Sequence, residues 1–153
     1  MLRYFLLVLC MALFMGNRTS AQRPASKEEL QAKFWAEIKE GLRGQHGTEY
    51  WSAMEGASLP GGFRGIDMFE GTLVSSKPAD HPSEFLVALG VSEVPEVMLK
   101  LKGRLEKPLP PGTPITFEGV VKAYTRDPFQ VTFEVETVNR AKVDEKPVEE
   151  KRK

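Results

Sequence analysis

Apolar and polar positions follow two different periods along this chain, and the change of period divides it. Phe34, Trp35, Ile38 and Leu42 follow Leu30 at helical spacing, while Lys33, Glu37, Lys39 and Glu40 fill the opposite face. Just ahead, Ser26-Lys27-Glu28-Glu29 has the form of a capping box, a hydroxyl cap with a glutamate three residues on. Gly41 and Gly44 supply a stop. A long helix is predicted here, with its apolar stripe turned to a core or, in the alternative, to a partner through Phe34 and Trp35. A second, short helix is predicted over Glu49–Glu55, capped by Thr48 and ended by Gly56, with Trp51, Met54 and Leu59 turned inward. Leu59-Pro60-Gly61-Gly62 reads as a turn.

From Ile66 onward the period is two. Five strands are expected: Met68–Ser75, Glu84–Leu89, Glu96–Lys102, Pro114–Tyr124 and Phe129–Val138. In the last, Phe129, Val131, Phe133 and Val135 alternate with Gln130, Thr132, Glu134 and Glu136; Ile115, Phe117, Val121 and Ala123 supply the matching face of its neighbour. Gly119 in mid-strand predicts a bulge or sharp bend, as in a closing barrel. Arg126-Asp127-Pro128 predicts a tight hairpin turn.

The pattern predicts a mainly β fold: a small five-stranded antiparallel barrel, OB-like, preceded by one long and one short α-helix. The helix that an OB-fold carries between its third and fourth strands has no room here, since 104–113 is short and rich in proline. An open five-stranded sheet backed by helices is the alternative. Four segments follow: a signal peptide (1–21), a helical segment (26–62), the β-domain (63–140) and a charged tail (141–153) expected to be disordered.

The leader carries the clearest message about location. Arg3 precedes an unbroken apolar run from Tyr4 to Met15, and small residues at Thr19 and Ala21 suit cleavage before Gln22. The run has 12 residues, short of the roughly 20 that span a bilayer. Export to the periplasm or beyond is the expectation, with no transmembrane segment after cleavage. Cys10 is the single cysteine and leaves with the leader, so a mature chain would depend on packing without disulfides. The whole chain has 21 basic and 21 acidic residues; the leader takes Arg3 and Arg18 and no acid, leaving 19 against 21, a formal charge of −2. Such a balance disfavours nucleic acid as a partner.

Two resemblances add to this reading. The stretch from Leu101-Lys102-Gly103 through Pro114-Ile115-Thr116-Phe117-Glu118-Gly119-Val120-Val121, then Phe129 to Val138, resembles the closing half of tRNA_anti-like and other exported bacterial OB domains. Its pattern is a glycine, a hydrophobic, a phenylalanine and a second glycine, met from Gly112 to Gly119. Gly71-Thr72-Leu73-Val74-Ser75-Ser76, Pro95-Glu96-Val97-Met98-Leu99-Lys100-Leu101 and Tyr124-Thr125-Arg126-Asp127-Pro128-Phe129 are similar to an unnamed domain of exported bacterial proteins, a domain of unknown function that sometimes stands beside tetratricopeptide repeats. The resemblances imply export and an OB-like barrel, and no catalytic residue.

Catalysis needs converging groups. His46 and His81 both fall in expected loops, and Asp80 beside His81 reads as a solvated turn, because neighbouring side chains diverge. No HExxH, CxxC, P-loop or GxSxG pattern occurs. No catalytic residue, metal ligand or cofactor is therefore assigned. Lys100, Lys102 and Lys122, with Tyr124 for stacking, could form an OB-type surface for an anionic oligosaccharide or oligonucleotide. Glu118, Glu134 and Glu136 on the outward faces are instead expected to pair with these lysines. The leading expectation is an exported, non-catalytic binding or scaffolding domain of the bacterial cell envelope. It would meet an envelope protein or glycan through Phe34 and Trp35 or an exposed strand edge. The lysine-face ligand domain is second and a hydrolase third. Oligomeric state is left open.

Overall fold

The computed structural model describes residues 24–140. The expected signal peptide and charged tail lie outside the described residues. Helix α1 (Lys27–Arg43) begins at its capping box: the Ser26 hydroxyl accepts from the Glu29 N–H at 3.3 Å, and the Glu29 carboxylate accepts from the Ser26 N–H at 3.0 Å. Its last turn closes with the Gly44 N–H donating to the Glu40 carbonyl.

Helix α2 (Gly47–Met54) starts earlier than expected, after His46, and neither His46 nor Thr48 caps it with a side chain. The cause is steric. A Cβ at Gly47 would lie 2.5 Å from the Leu42 carbonyl oxygen, so the bare glycine lets the chain double back at once on the end of α1. Gly41 likewise makes room for the Tyr50 ring, which a Cβ would meet at 2.6 Å.

A β-rich body behind two N-terminal helices stands as expected; the number of strands is not five. Eight strands occur among the described residues: β1 (Ser58–Leu59), β2 (Phe69–Lys77), β3 (Glu84–Leu89), β4 (Val97–Leu101), β5 (Pro114–Phe117), β6 (Gly119–Arg126), β7 (Phe129–Val135) and β8 (Asn139–Arg140). They form one curled sheet in the order β1-β6-β7-β4-β3-β2-β5-β8. Every pairing is antiparallel except β4 with β7.

The extra strands have physical causes. The expected fourth strand breaks at Glu118 into β5, which pairs with β2, and β6, which pairs with β7. A single segment thus joins two separated parts of the sheet. Gly119 permits the break: a Cβ there would lie 2.7 Å from Val135 Cγ1 and 2.8 Å from the Glu134 oxygen. β1 and β8 have two residues each, too few to show any alternation.

Buried phenylalanines fill the curl. Phe69, Phe117 and Phe133 lie with ring centroids 5.4–6.0 Å apart. α1 closes over them with Phe34 and Trp35, 5.8 Å and 6.0 Å from Phe69. β1 pairs along the outer side of β6, the Gly56 N–H donates to the Val121 carbonyl at 2.9 Å, and Trp51 of α2 packs tilted against Tyr124 with ring centroids 4.9 Å apart.

Candidate functional site

Phe34 and Trp35 do not form an exposed stripe. They are 4% and 7% exposed and belong to the core, which corrects the expectation of a partner contact through them. The reason is the aromatic cluster beneath α1. Phe34 packs on Phe69, and Trp35 sits edge-on to both Phe69 and Phe129. The Trp35 indole N–H donates to the Glu96 carboxylate at 2.8 Å, and Glu96 also pairs with Lys39.

On the lysine face the expected pairing forms between Lys122 and Glu134 and between Lys102 and Glu136, while the alternative of a single ligand surface with Tyr124 is corrected. A bulge between Val121 and Ala123 resets the alternation of β6, so Ala123 stands opposite Thr132 and is exposed, not inward as expected. Tyr124 stands opposite buried Val131 instead and packs half-buried on Trp51. Tyr124 and Lys122 therefore point to different sides of the sheet. On the outer side the charges alternate across neighbouring strands. Lys122 pairs with Glu134 at 3.5 Å, Lys100 stands in register with Glu134 and pairs with Glu84 at 3.6 Å, and Glu84 stands opposite Lys77. Lys102 pairs with Glu136 at 2.9 Å, and Glu118 accepts from the Ser58 hydroxyl at 3.1 Å. Lys100, Lys102 and Lys122 thus each have a carboxylate, and a polyanion would meet a nearly neutral surface. The Lys102 ammonium holds the Glu136 carboxyl below its ordinary value through their hydrogen bond, then through its charge. The same bond raises Lys102.

Little else suggests chemistry. His46 lies exposed beside Glu49 at 2.9 Å, and His81 is exposed in the β2–β3 loop. Among the described residues no three His, Cys, Asp or Glu side chains converge as a metal site.

The turn expected at Leu59-Pro60-Gly61-Gly62 is present after β1 and runs on to Gly65, but the sequence pattern did not single out Phe63 beside it. Phe63 is 53% exposed although it is aromatic and apolar. It stands 5.1 Å from Phe34 at the rim of an apolar groove of about 240 Å³ between α1, α2 and this turn. Ile38, Tyr50, Met54 and Leu59 line the rest. The turn is an unusual piece of backbone: Gly61, Gly62, Arg64 and Gly65 all have positive φ. For Arg64 that conformation costs about 1–2 kcal/mol. The Arg64 guanidinium lies over the Phe63 ring at 5.5 Å and bonds Glu37 at 3.0 Å, and these contacts hold the ring in place. Burial raises the neighbouring Tyr50 phenol, Glu37 adds to the rise, and Arg64 opposes it. The cue was present in the sequence as a phenylalanine set among Gly61, Gly62 and Gly65.

No protein-family model matches the chain, and no match is found among curated proteins or solved structures.

Proposed function

We propose that this chain is an exported, non-catalytic protein-interaction module of the bacterial cell envelope, built on an OB-like barrel. The leader supports export: a positive start, a short apolar run and small residues before Gln22. The strand order supports the barrel type. β2, β3 and β4 form a meander, the β5–β6 segment returns to β2, and β7 closes beside β4 in parallel, which suits a five-stranded Greek-key barrel with one broken strand. α1 lies over the core in place of the helix that 104–113 is too short to hold.

The carrying observation is Phe63, half exposed above an apolar groove and held there by a turn that includes a strained arginine. Strain and an exposed aromatic beside a cavity are features of contact sites. The ligand reading on Lys100, Lys102, Lys122 and Tyr124 is weaker, because carboxylates neutralise the lysines and the bulge removes Tyr124 from their side.

The experiment is a pull-down from an envelope fraction with the tagged chain, alongside Phe63→Ala. Loss of a hot-spot phenylalanine should weaken capture of a specific partner by roughly 30-fold, about 2 kcal/mol, while the melting curve stays put. Equal capture by both proteins would overturn the reading. So would recovery of the chain from the cytoplasm with residues 1–21 still attached.

A further inference from the structure

A trough lies along a different flank of α1. Two cavities, of about 500 Å³ and 280 Å³, share Glu28, Gln31, Ala32, Gly90 and Val91 and so form one trough from Lys27 to Lys39. Along α1 this is a rise of about 18 Å. The larger cavity is also lined by Gly71 and Thr72 of β2 and by Pro114 and Ile115 of β5. Val91 lines both cavities and is fully exposed.

The described chain ends beside this trough. β8 runs antiparallel to β5, with Asn139 opposite Thr116 and Arg140 opposite Ile115. The chain therefore leaves the described residues heading for Pro114, which lines the larger cavity. Thirteen residues follow, 141–153. Extended, they reach about 43 Å, more than the length of the trough. Among them are Val143 and Val148, with Lys142 and Lys146 near the first valine. The charged groups of the trough are mostly carboxylates. Glu70 is paired with Lys27, and Glu96 with Lys39. Glu28 and Glu29, which line the larger cavity, have no cation within ion-pair distance among the described residues.

We propose that this chain's own segment 141–148 continues from β8 past Pro114 and occupies the larger cavity of the trough. Val143 and Val148 then cover Ala32 and Val91, Lys142 and Lys146 meet Glu28 and Glu29, and Asp144 and Glu145 face water. Three observations select this occupant over a separate partner: the place where β8 ends, the length of chain that follows, and lysines opposite carboxylates that have no cation. A segment that enters beside the cavity meets it at an effective concentration in the roughly millimolar range, which a separate molecule would have to exceed. Burial of the valines and of Val91 holds the segment. The ion pairs are exposed, so they fix its direction more than its affinity. This surface is separate from the Phe63 groove, so the two readings can fail separately.

The test is paramagnetic broadening of amide signals in the isotope-labelled chain, carrying Cys10→Ser and a nitroxide on Pro147→Cys. The amides of Glu28, Ala32 and Val91 should lose most of their intensity, while those of α2, which follows the other end of α1, keep theirs. Ala32→Trp, at an exposed helix position, should fill the trough and restore the lost signals with circular dichroism unchanged. Lys142→Glu combined with Lys146→Glu, both outside the described residues, should restore them as well. Phe63→Ala should leave the pattern as it is. Full intensity at Glu28, Ala32 and Val91 in the labelled parent overturns the proposal. So does a loss that either set of replacements leaves in place, since a tethered label would then only be sampling its surroundings. Loss of the same signals in an isotope-labelled chain without nitroxide, mixed with a nitroxide-bearing chain without isotope, overturns it too, because the segment of a second copy would then be the occupant.

Discussion

Among the described residues Gln31 is the one buried polar side chain, at 5% exposure, and its replacement tests how the helix is joined to the sheet. β3 ends at Leu89, opposite Gly71, so Glu70 has no β3 residue beside it. The Gln31 amide takes that place. Its Nε2 donates to the Glu70 carbonyl at 2.8 Å, and its Oε1 accepts from the Glu70 N–H at 2.7 Å. Gln31→Leu leaves both backbone groups without a protein partner. Each such loss costs about 1–3 kcal/mol when the group is buried. Water can enter from the adjoining cavity of about 500 Å³, which favours the low end, so the expected total is about 2 kcal/mol. In a domain of this size that is a fall of roughly 8 °C in melting temperature, read by circular dichroism at pH 7 and checked by urea titration. Gln31→Glu sharpens the test. Its carboxylate can still accept from the Glu70 N–H, but it places a second acceptor against the Glu70 carbonyl, and only the protonated form can donate there. Folding therefore raises the pKa of the introduced carboxyl above its unfolded value of about 4.3. The folded state binds the proton more tightly, so stability falls as pH rises through the raised pKa. Gln31→Glu should come closer to the natural chain at pH 4.5 than at pH 7. A Gln31→Leu protein within about 0.5 kcal/mol of the natural one, or a Gln31→Glu deficit that ignores pH, would refute the reasoning.

Three further outcomes are expected. Gly119→Ala should destabilise by about 1–3 kcal/mol in urea unfolding, because the new methyl meets Val135 and the Glu134 backbone oxygen; an unchanged midpoint would mean that β6 shifts freely. Trp35→Phe should cost about 1–2 kcal/mol by losing the hydrogen bond to Glu96, and Glu96→Gln should be milder because its amide oxygen still accepts from the indole. Lys102 holds the Glu136 carboxyl low, so this pair aids folding above the ordinary carboxylate range and loses that effect as pH falls through the lowered pKa. An NMR titration of Glu136 should move back toward the ordinary value in Lys102→Met and in high salt; a titration that ignores both would exclude the pair in solution.

Local patterns were read well where a side chain answers mainly to its neighbours in sequence. The Ser26–Glu29 box needs only four consecutive residues, and α1 begins where it says. The expected strand starts at 68, 84, 96, 114 and 129 fall within one residue of the strands observed, since period-two alternation survives wherever a strand has one buried face. The break at Gly119 was visible for a similar reason, as a lone glycine in the middle of an expected strand.

What the sequence by itself determined, then, was the helix–strand division, the inward face of most strands and the bend at Gly119, because short-range sterics and periodicity decide these. The tertiary structure alone decided the rest. It buried Phe34 and Trp35, because the Phe69–Phe117–Phe133 cluster lies under α1 only after strands distant in sequence have met. It separated Tyr124 from Lys122 by a bulge that depends on the register with β7, and it gave Lys100 the partner Glu84 in place of the glutamates expected for it. It also left Phe63 above a groove between α1 and α2. These arrangements arise between residues far apart in the chain, where no local period can report them.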